Sequence, residues 1–219
     1  MTSIIDPVTE SEGRRRTQAD RRDESQRQLL AATLSVVAER GVGAATFDAI
    51  GQAAGYSRGL ATQRFGSKQG LIDAVIAAAH QARDAALDAD HVAEMDPLDA
   101  VLHYADSHLA ALEAVGDSRA YFMLLAGAVA DCTPQRAAFA ESHERVRLWL
   151  AERVEAGRRS GRIRTDIDAD GVALLVGSTL LGASMQAIVD AQTPLALIRR
   201  TLRMMLVESL RPRQEASDG

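Results

Sequence analysis

The chain has 219 residues, with 25 basic and 30 acidic side chains, and 47% of its residues are hydrophobic. This length fits one or two domains, and the hydrophobic share is enough for a packed core. The single cysteine, Cys132, excludes an intramolecular disulfide framework. The first ten residues have no signal-peptide pattern, and no stretch of about 18 uncharged apolar residues indicates a membrane span. We therefore expect a soluble cytoplasmic protein without a membrane partner.

Charge is distributed unevenly along the chain. Residues 13–70 carry ten basic against five acidic side chains, a net of +5, whereas residues 71–219 carry 15 against 22, a net of −7. A basic segment attached to an acidic body indicates a local site for a polyanion. Chance clustering of arginine, which supplies 24 of the 25 basic residues, is the alternative explanation.

Apolar residues recur with helical periodicity, and no clean alternation runs for six residues, so the chain is predicted to be all-α. We expect about nine helices: one ending at Gly41, one beginning at Ser67, and others at 46–54, 58–65, 97–115, 118–130, 134–158, 168–190 and 194–210. The predicted units are a disordered basic arm (1–20), a three-helix DNA-binding domain (21–70), a larger helical effector-binding and dimerisation domain (71–210) and a disordered tail (211–219).

Residues 46–68, TFDAIGQAAGYSRGLATQRFGSK, carry the main functional signal. Two short predicted helices flank the turn Gly55-Tyr56-Ser57, a spacing typical of a helix-turn-helix. Arginine and glutamine on the second helix can make bidentate hydrogen bonds to bases in the major groove. Hydroxyl and lysine side chains at helix N-termini can hold phosphate, and a glycine permits close approach of a DNA backbone. The predicted DNA-binding residues are Thr46, Ser57, Arg58, Gly59, Thr62, Gln63, Arg64 and Lys68.

This segment resembles the tetracycline-repressor (TetR) family of bacterial regulators. The shared positions, over about residues 28–72, are Ala38-Glu39-Arg40-Gly41, Thr46, Ile50, Ala54-Gly55-Tyr56-Ser57-Arg58-Gly59, Phe65 and Ser67-Lys68. Ala61 and Thr62 depart from the family, which usually has a large apolar residue followed by tyrosine there. Arg64 stands where the family often has histidine or tyrosine.

The resemblance implies a sequence-specific DNA-binding regulator, a repressor that a small molecule releases from a pseudo-palindromic operator. The alternative is a helical ligand-binding or interaction protein that has lost its DNA function. Arg14, Arg15, Arg16, Arg21 and Arg22 precede the predicted first helix, and they form either an arm that follows the minor groove or a solvated tail.

The last two predicted helices are apolar on more than one side. The stripes expected to lie at a shared surface are Leu174, Leu181, Met185 and Ile188, and Ile198, Leu202, Met205 and Leu206. A monomer would expose one of these stripes, so we predict a homodimer through a four-helix interface.

Large adaptable or polar-tipped side chains in the body are either cavity-lining residues or ordinary core. The candidate ligand-binding residues are Tyr104, His108, Tyr121, Phe122, Met123, Trp149 and Met185. The negative charge of the body favours an apolar effector that is neutral or weakly charged. Arg119 or Arg145 could neutralise an anionic effector locally.

Other chemistry has little support in the sequence. The aspartates at 166, 168 and 170 imitate half of a calcium loop, but the twelfth position is Gly177, and a capped helix start explains them better. The five histidines lack metal-ligand spacing, and Cys132 has no partner thiol in the chain. No nucleophile elbow, phosphate loop or carboxylate pair is evident. We predict no metal, no cofactor and no enzymatic activity.

Overall fold

The computed structural model describes residues 17–113 and 116–213, and its regular elements there are all helical. The ten α-helices are α1 (Gln18–Arg40), α2 (Phe47–Ala54), α3 (Arg58–Phe65), α4 (Lys68–Leu87), α5 (Asp90–Ala93), α6 (Pro97–Glu113), α7 (Asp117–Ala130), α8 (Gln135–Arg159), α9 (Ala169–Val189) and α10 (Leu195–Leu210). The all-α prediction is confirmed. The helix beyond the expected nine is α5, a single turn in the acidic connection.

Helix α1 begins earlier than the sequence suggests. Thr17 forms a capping box with Asp20, in which each residue's side chain accepts a hydrogen bond from the other's backbone N–H. Arg21 and Arg22 therefore belong to α1, where both are exposed, rather than to a segment before it. The other three arginines of the expected arm, and residues 214–219 of the expected tail, lie outside the described residues.

We call residues 17–67, which contain α1 to α3, the head, and residues 68–213 the body. A first core cluster begins in the head with Leu29, Val37 and Ile50, continues through α4, and ends on α7 and Phe139 of α8. A second cluster joins α6, α8, α9 and α10 at the far end of the body. Because the first cluster crosses from head to body, the two parts share a continuous hydrophobic contact.

Helix α9 is apolar but only partly covered. By length and composition alone it could cross a membrane, with a mean hydropathy of 1.8 over its most apolar window, of which 28% is buried. One such helix is weak evidence for a span, because core helices of soluble proteins have the same composition. Here α9 packs on α8, α6 and α7, so it is an integral part of the helical body.

Candidate DNA-binding surface and ligand cavity

A tight turn places α3 on the surface of the head. Gly55 ends α2 in the left-handed conformation, with a φ of 74°, which glycine adopts without a steric penalty. The Ser57 side chain then accepts a hydrogen bond from the Leu60 N–H at 3.2 Å and starts α3. Arg58, Gly59, Thr62 and Gln63 are all exposed on α3. The geometry is that of a helix-turn-helix with its second helix accessible.

Two of the basic residues on this surface are held by neighbours. Arg58 forms an exposed ion pair with Asp48 of α2, with 3.0 Å between Nη1 and Oδ2. Lys68 donates from Nζ to the Gly43 carbonyl at 3.2 Å, which links the start of α4 to the turn before α2. Each of these charged side chains therefore has a contact within the head. Each would have to exchange or share that contact when it binds DNA.

Arg64 and Ala61 contact the interior of the head. Arg64 is half-buried and donates to the Ser25 hydroxyl of α1 at 3.3 Å. Ala61 is fully buried in the first core cluster, against which Tyr56 packs, and the Tyr56 hydroxyl donates to Gln28 at 2.6 Å. Thus Arg64 is directed towards α1, unlike the exposed residues of α3.

Gly59 has no internal packing reason to be glycine. A Cβ at this position would meet only the Ser57 hydroxyl, at 3.8 Å. Gly59 lies in the first turn of α3, at an exposed position, and glycine gains no close contact within the protein there.

A cavity of about 550 Å³ lies between the head and the body. Its walls come from α1, α4, α6 and α7, with Trp149 of α8 at one side. Most of the lining is alanine, leucine and aromatic rings. Arg27, Leu30, Ala31 and Leu34 of α1 form the wall on the head side, so an occupant would contact the head directly.

Five of the seven candidate ligand-binding residues line this cavity, namely Tyr104, His108, Tyr121, Phe122 and Trp149. Met123 and Met185 line neither this cavity nor a second one of about 250 Å³, and both pack against the first core cluster. The two cavities share the residues Arg83, Tyr104, His108 and Phe122. These four side chains therefore stand at the junction of the two spaces.

Arg83 of α4 organises a polar cluster at this junction. Its Nη2 donates to the Tyr121 hydroxyl at 2.9 Å and to the Ser142 hydroxyl at 2.7 Å. The Tyr121 hydroxyl also lies 3.2 Å from Nε2 of His80. Sequence reasoning missed Arg83, and the available signal was a lone arginine within an alanine-rich stretch of α4 (AAAHQARDAAL).

Burial and the Arg83 charge keep the nearby histidines neutral. Both effects lower the pKa of His80 and of His108 to about 4, and they also lower the pKa of His143. Nε2 of His108 lies 3.0 Å from the Ser184 hydroxyl of α9. Burial raises the pKa of Tyr104 to about 12, so its hydroxyl stays protonated. At neutral pH these groups are hydrogen-bonding side chains without charge.

The arginines considered as local neutralisers lie elsewhere. Arg119 donates to the Ala187 carbonyl at 3.2 Å, and Arg145 pairs with Asp84 and Glu141, both at 3.1 Å. Neither Arg119 nor Arg145 lines either of the two cavities that meet at the polar cluster. An anion in either cavity would instead meet Arg83.

The three aspartates before and within α9 are engaged by the protein. Asp168 accepts from the Gly171 N–H as the helix cap, Asp166 pairs with Arg164 at 2.5 Å, and Asp170 pairs with Arg147. In the part of the chain that the structure describes, no group of three or more histidine, cysteine or acidic side chains is arranged to hold a metal.

The chain matches one family model over part of its length, and it shares its fold with several solved structures. Residues 29–75 match the family model described as bacterial regulatory proteins, tetR family. No curated protein matches the sequence.

Among solved structures, a TetR transcriptional regulator from Chloroflexus aurantiacus is 21% identical, with a TM-score of 0.73 over 88% of this chain and 99% of that one. A TetR-family regulator from Pectobacterium atrosepticum is 22% identical, with a TM-score of 0.66 over 90% and 100%. A regulator from Saccharomonospora viridis, solved with choline, is 18% identical, with a TM-score of 0.71 over 87% and 100%. At these identities the likeness shows the shared fold.

Proposed function

We propose that this chain, which belongs to the tetR family of bacterial regulators through its N-terminal domain, is a cytoplasmic repressor that a small molecule releases from DNA. The family supports the coarser statement, a DNA-binding transcriptional regulator. Release by a small molecule is supported by the cavity of about 550 Å³, whose wall includes α1 of the head. Its volume lies within the range of about 300–1,000 Å³ that is usual for small-molecule sites.

The exposed face of α3 would enter the major groove. Gln63 makes no hydrogen bond to another described residue, so its amide is free to read a base edge. Arg58 would exchange part of its Asp48 contact for DNA, while Thr46, Ser57, Thr62 and Lys68 would hold the phosphate backbone. The space beside Gly59 suits close approach of that backbone. Arg64 would contribute to DNA binding indirectly, because its hydrogen bond to α1 would fix the orientation of α3.

A homodimer through the last two helices would place two heads on one operator. Leu181, Met185 and Ile188 pack on the first core cluster, and Ile198, Leu202 and Leu206 belong to the second, so much of each expected stripe is internal. Leu174 and Met205 of the expected stripes are more than half exposed, and so are Leu175, Val189, Leu197 and Met204 of the same two helices. Pairing these faces would cover them and present the heads to half-sites about 34–36 Å apart.

Ligand and DNA would be coupled through α1. Leu30 and Leu34 line the cavity and also pack against the first core cluster, whose members include Ile50 and Ala61 of the DNA-binding helices. A ligand that fits the cavity only when α1 is displaced would favour a head arrangement that no longer matches the operator. Such a ligand must bind the released state more tightly, because equal affinity for both states shifts nothing.

The choline complex of the Saccharomonospora regulator supports small-molecule binding within this fold. Choline itself is a poor model for the ligand of this chain. Arg83 lies in the cavity wall, and its positive charge would repel a quaternary ammonium group.

The test has two stages and uses the full chain. A random duplex library is first selected for bound sequences, and the enriched duplex is then used to screen small molecules for release. Ala82→Leu on α4 reduces the cavity volume, whereas Ala85→Leu adds the same volume on the same helix outside the cavity lining.

We expect both variants to bind the duplex and only Ala82→Leu to lose release. Failure to enrich any duplex would refute DNA binding. Equal release from both variants would show that the responsive cavity lies elsewhere.

Dimerisation is tested by sedimentation of the unmodified chain and of Met205→Arg. Met205 is 58% exposed, so the new charge is tolerated in a monomer but not within an apolar interface. We expect a dimer for the unmodified chain and a folded monomer with weak operator binding for the variant. Arg203→Glu, another exposed change on α10, is the control for altered surface charge. A monomeric unmodified chain at micromolar concentration would contradict the assembly.

A further inference from the structure

We propose that the ligand of the cavity is an amphiphilic monoanion, an apolar molecule with one carboxylate, which Arg83 and the Tyr104 hydroxyl bind at the junction of the two spaces. This inference rests on the proposed function, since it names the chemical class of the effector. It narrows the expectation of an apolar effector that is neutral or weakly charged to a single negative charge, and it assigns the neutralising role to Arg83 in place of Arg119 or Arg145.

The Arg83 charge has no counter-ion in the described parts of the chain. Its two hydrogen-bond acceptors, the Tyr121 and Ser142 hydroxyls, are neutral. The adjacent Asp84 carboxylate is paired with Arg145 at 3.1 Å. A guanidinium that is partly withdrawn from water, with no anion beside it, is costly, and a bound carboxylate would offset that cost.

Donor atoms remain available for that carboxylate. Nη1 of Arg83 makes no hydrogen bond within residues 17–113 and 116–213. The Tyr104 hydroxyl likewise makes no hydrogen bond there, although Tyr104 lines both cavities. A carboxylate at the junction would accept from these donors, and hydrogen bonds to charged groups are the stronger kind.

Other charges in the lining leave Arg83 uncompensated. Asp117 lines the larger cavity but is exposed at the start of α7. Glu144 lines the smaller cavity and is engaged by Arg147 at 2.6 Å. His80, His108 and His143 have lowered pKa values because of burial and Arg83, so they contribute no further positive charge at neutral pH. One net cation matches one carboxylate better than a dianion.

The rest of the lining suits an apolar ligand body. Leu30, Leu34 and the α4 alanines face the larger space, and Phe122 and Trp149 add aromatic surface. Burying this surface against hydrocarbon contributes about 25 cal/mol per Å². An amphiphile would thus place its tail against α1 and α4 and its charged end at Arg83.

Trp149 provides the readout, because it is the single tryptophan of the chain and lines the cavity. Its fluorescence is titrated with two matched pairs, decanoate with decanamide, and phenylbutyrate with phenylbutyramide. In the unmodified protein we expect at least one acid to bind about tenfold or more tightly than its amide, as expected for hydrogen bonds to a charged group. Arg83→Met should abolish that preference, and Arg83→Lys should keep part of it.

Arg27→Met is the matched control. Arg27 lines the same cavity, but its side chain is 75% exposed and pairs with Glu24 at 2.6 Å. We expect the acid preference to change by less than about twofold in this variant, because exposed charges contribute little. Thermal unfolding of each variant shows whether a loss of binding reflects a loss of folding. If no acid binds more tightly than its amide, or if the preference survives in Arg83→Met, the proposal is wrong.

The same probes separate this inference from the proposed function. Arg83-dependent binding of an acid that leaves the operator complex intact would support the anion site and refute release. Release by neutral compounds through the cavity, without preferential binding of any acid, would support the repressor mechanism and overturn the anion site.

Discussion

The helix caps of the head and the polar cluster of the body are built in opposite ways. In the head, Thr46, Ser57 and Ser67 are exposed, and each accepts a hydrogen bond from the N–H three residues later, at 3.0–3.2 Å. In the body, Arg83 bonds to hydroxyls 38 and 59 positions away, and His108 lies beside a hydroxyl 76 positions away. The helix caps of the head are local and lie at the surface, whereas the polar cluster of the body joins different helices in the interior.

This difference assigns different tasks to the two parts. Local caps fix the start of each helix without help from the remaining chain, so the head is preorganised for DNA. The interior cluster depends on every partner, because removing one leaves another polar group buried and unsatisfied. Binding at the cluster should therefore affect packing in the body more strongly than binding at the surface affects the head.

The largest expected effect is on folding, in Tyr121→Ala. The Tyr121 ring is 6% exposed, with ring centroids 5.0 Å from Phe122 and 5.2 Å from Phe139, and its hydroxyl serves Arg83 and His80. Truncating a buried aromatic residue typically costs about 3–5 kcal/mol. Urea unfolding should show this loss, against about 1 kcal/mol for loss of the Ser57 cap in Ser57→Ala. If Tyr121→Ala and Ser57→Ala lost the same free energy of unfolding, the proposed contrast between head and body would be wrong.

The next effect is on DNA recognition, in Gln63→Ala. Gln63 is exposed and packs on no core residue, so stability should stay unchanged. Loss of a bidentate contact to adenine should cost about 1–3 kcal/mol on the preferred operator and relax one base position. Binding to a set of single-base operator variants measures both effects. Gln52→Ala, at an exposed position of α2 in the same head, is the control.

The head could be predicted because its signals are local. Gly55, Ser57 and Gly41 mark helix ends within a few positions of the residues that they serve, so the spacing alone identified the turn and α3. The same local signals predicted α9 within one residue at each end. The direction of Arg64 could not be read, because it depends on Ser25, 39 positions away.

The cavity was only partly predictable because its geometry is non-local. Large aromatic side chains identified Tyr104, Tyr121 and Trp149, since residue type alone suggests a binding surface. Arg83 resembles an ordinary helix arginine until α7 and α8 bring Tyr121 and Ser142 to it. The alanines of α4 and the α1 wall are likewise recognisable only after the helices have packed.

A smaller effect concerns pH and is confined to the body. The pKa of His108 is about 4 in the folded chain, below its ordinary value of 6.5, so below about pH 6.5 the unfolded chain binds more protons. Stability should therefore fall as pH falls from about 6.5 towards 4. For His108 alone the loss between pH 7 and pH 5 is on the order of 1–2 kcal/mol. His108→Gln should reduce the pH slope of urea unfolding.

The smallest effect is at the edge of the head, in Lys68→Ala. Lys68 is exposed and donates to the Gly43 carbonyl, a hydrogen bond that contributes little to folding at the surface. A phosphate contact carries no base information, so the variant should bind every duplex more weakly by the same few-fold factor. The slope of log affinity against log salt should fall by about one, because the variant neutralises one phosphate fewer. A changed base preference with an unchanged salt slope would instead place Lys68 against a base, and would make the head less regular than its caps indicate.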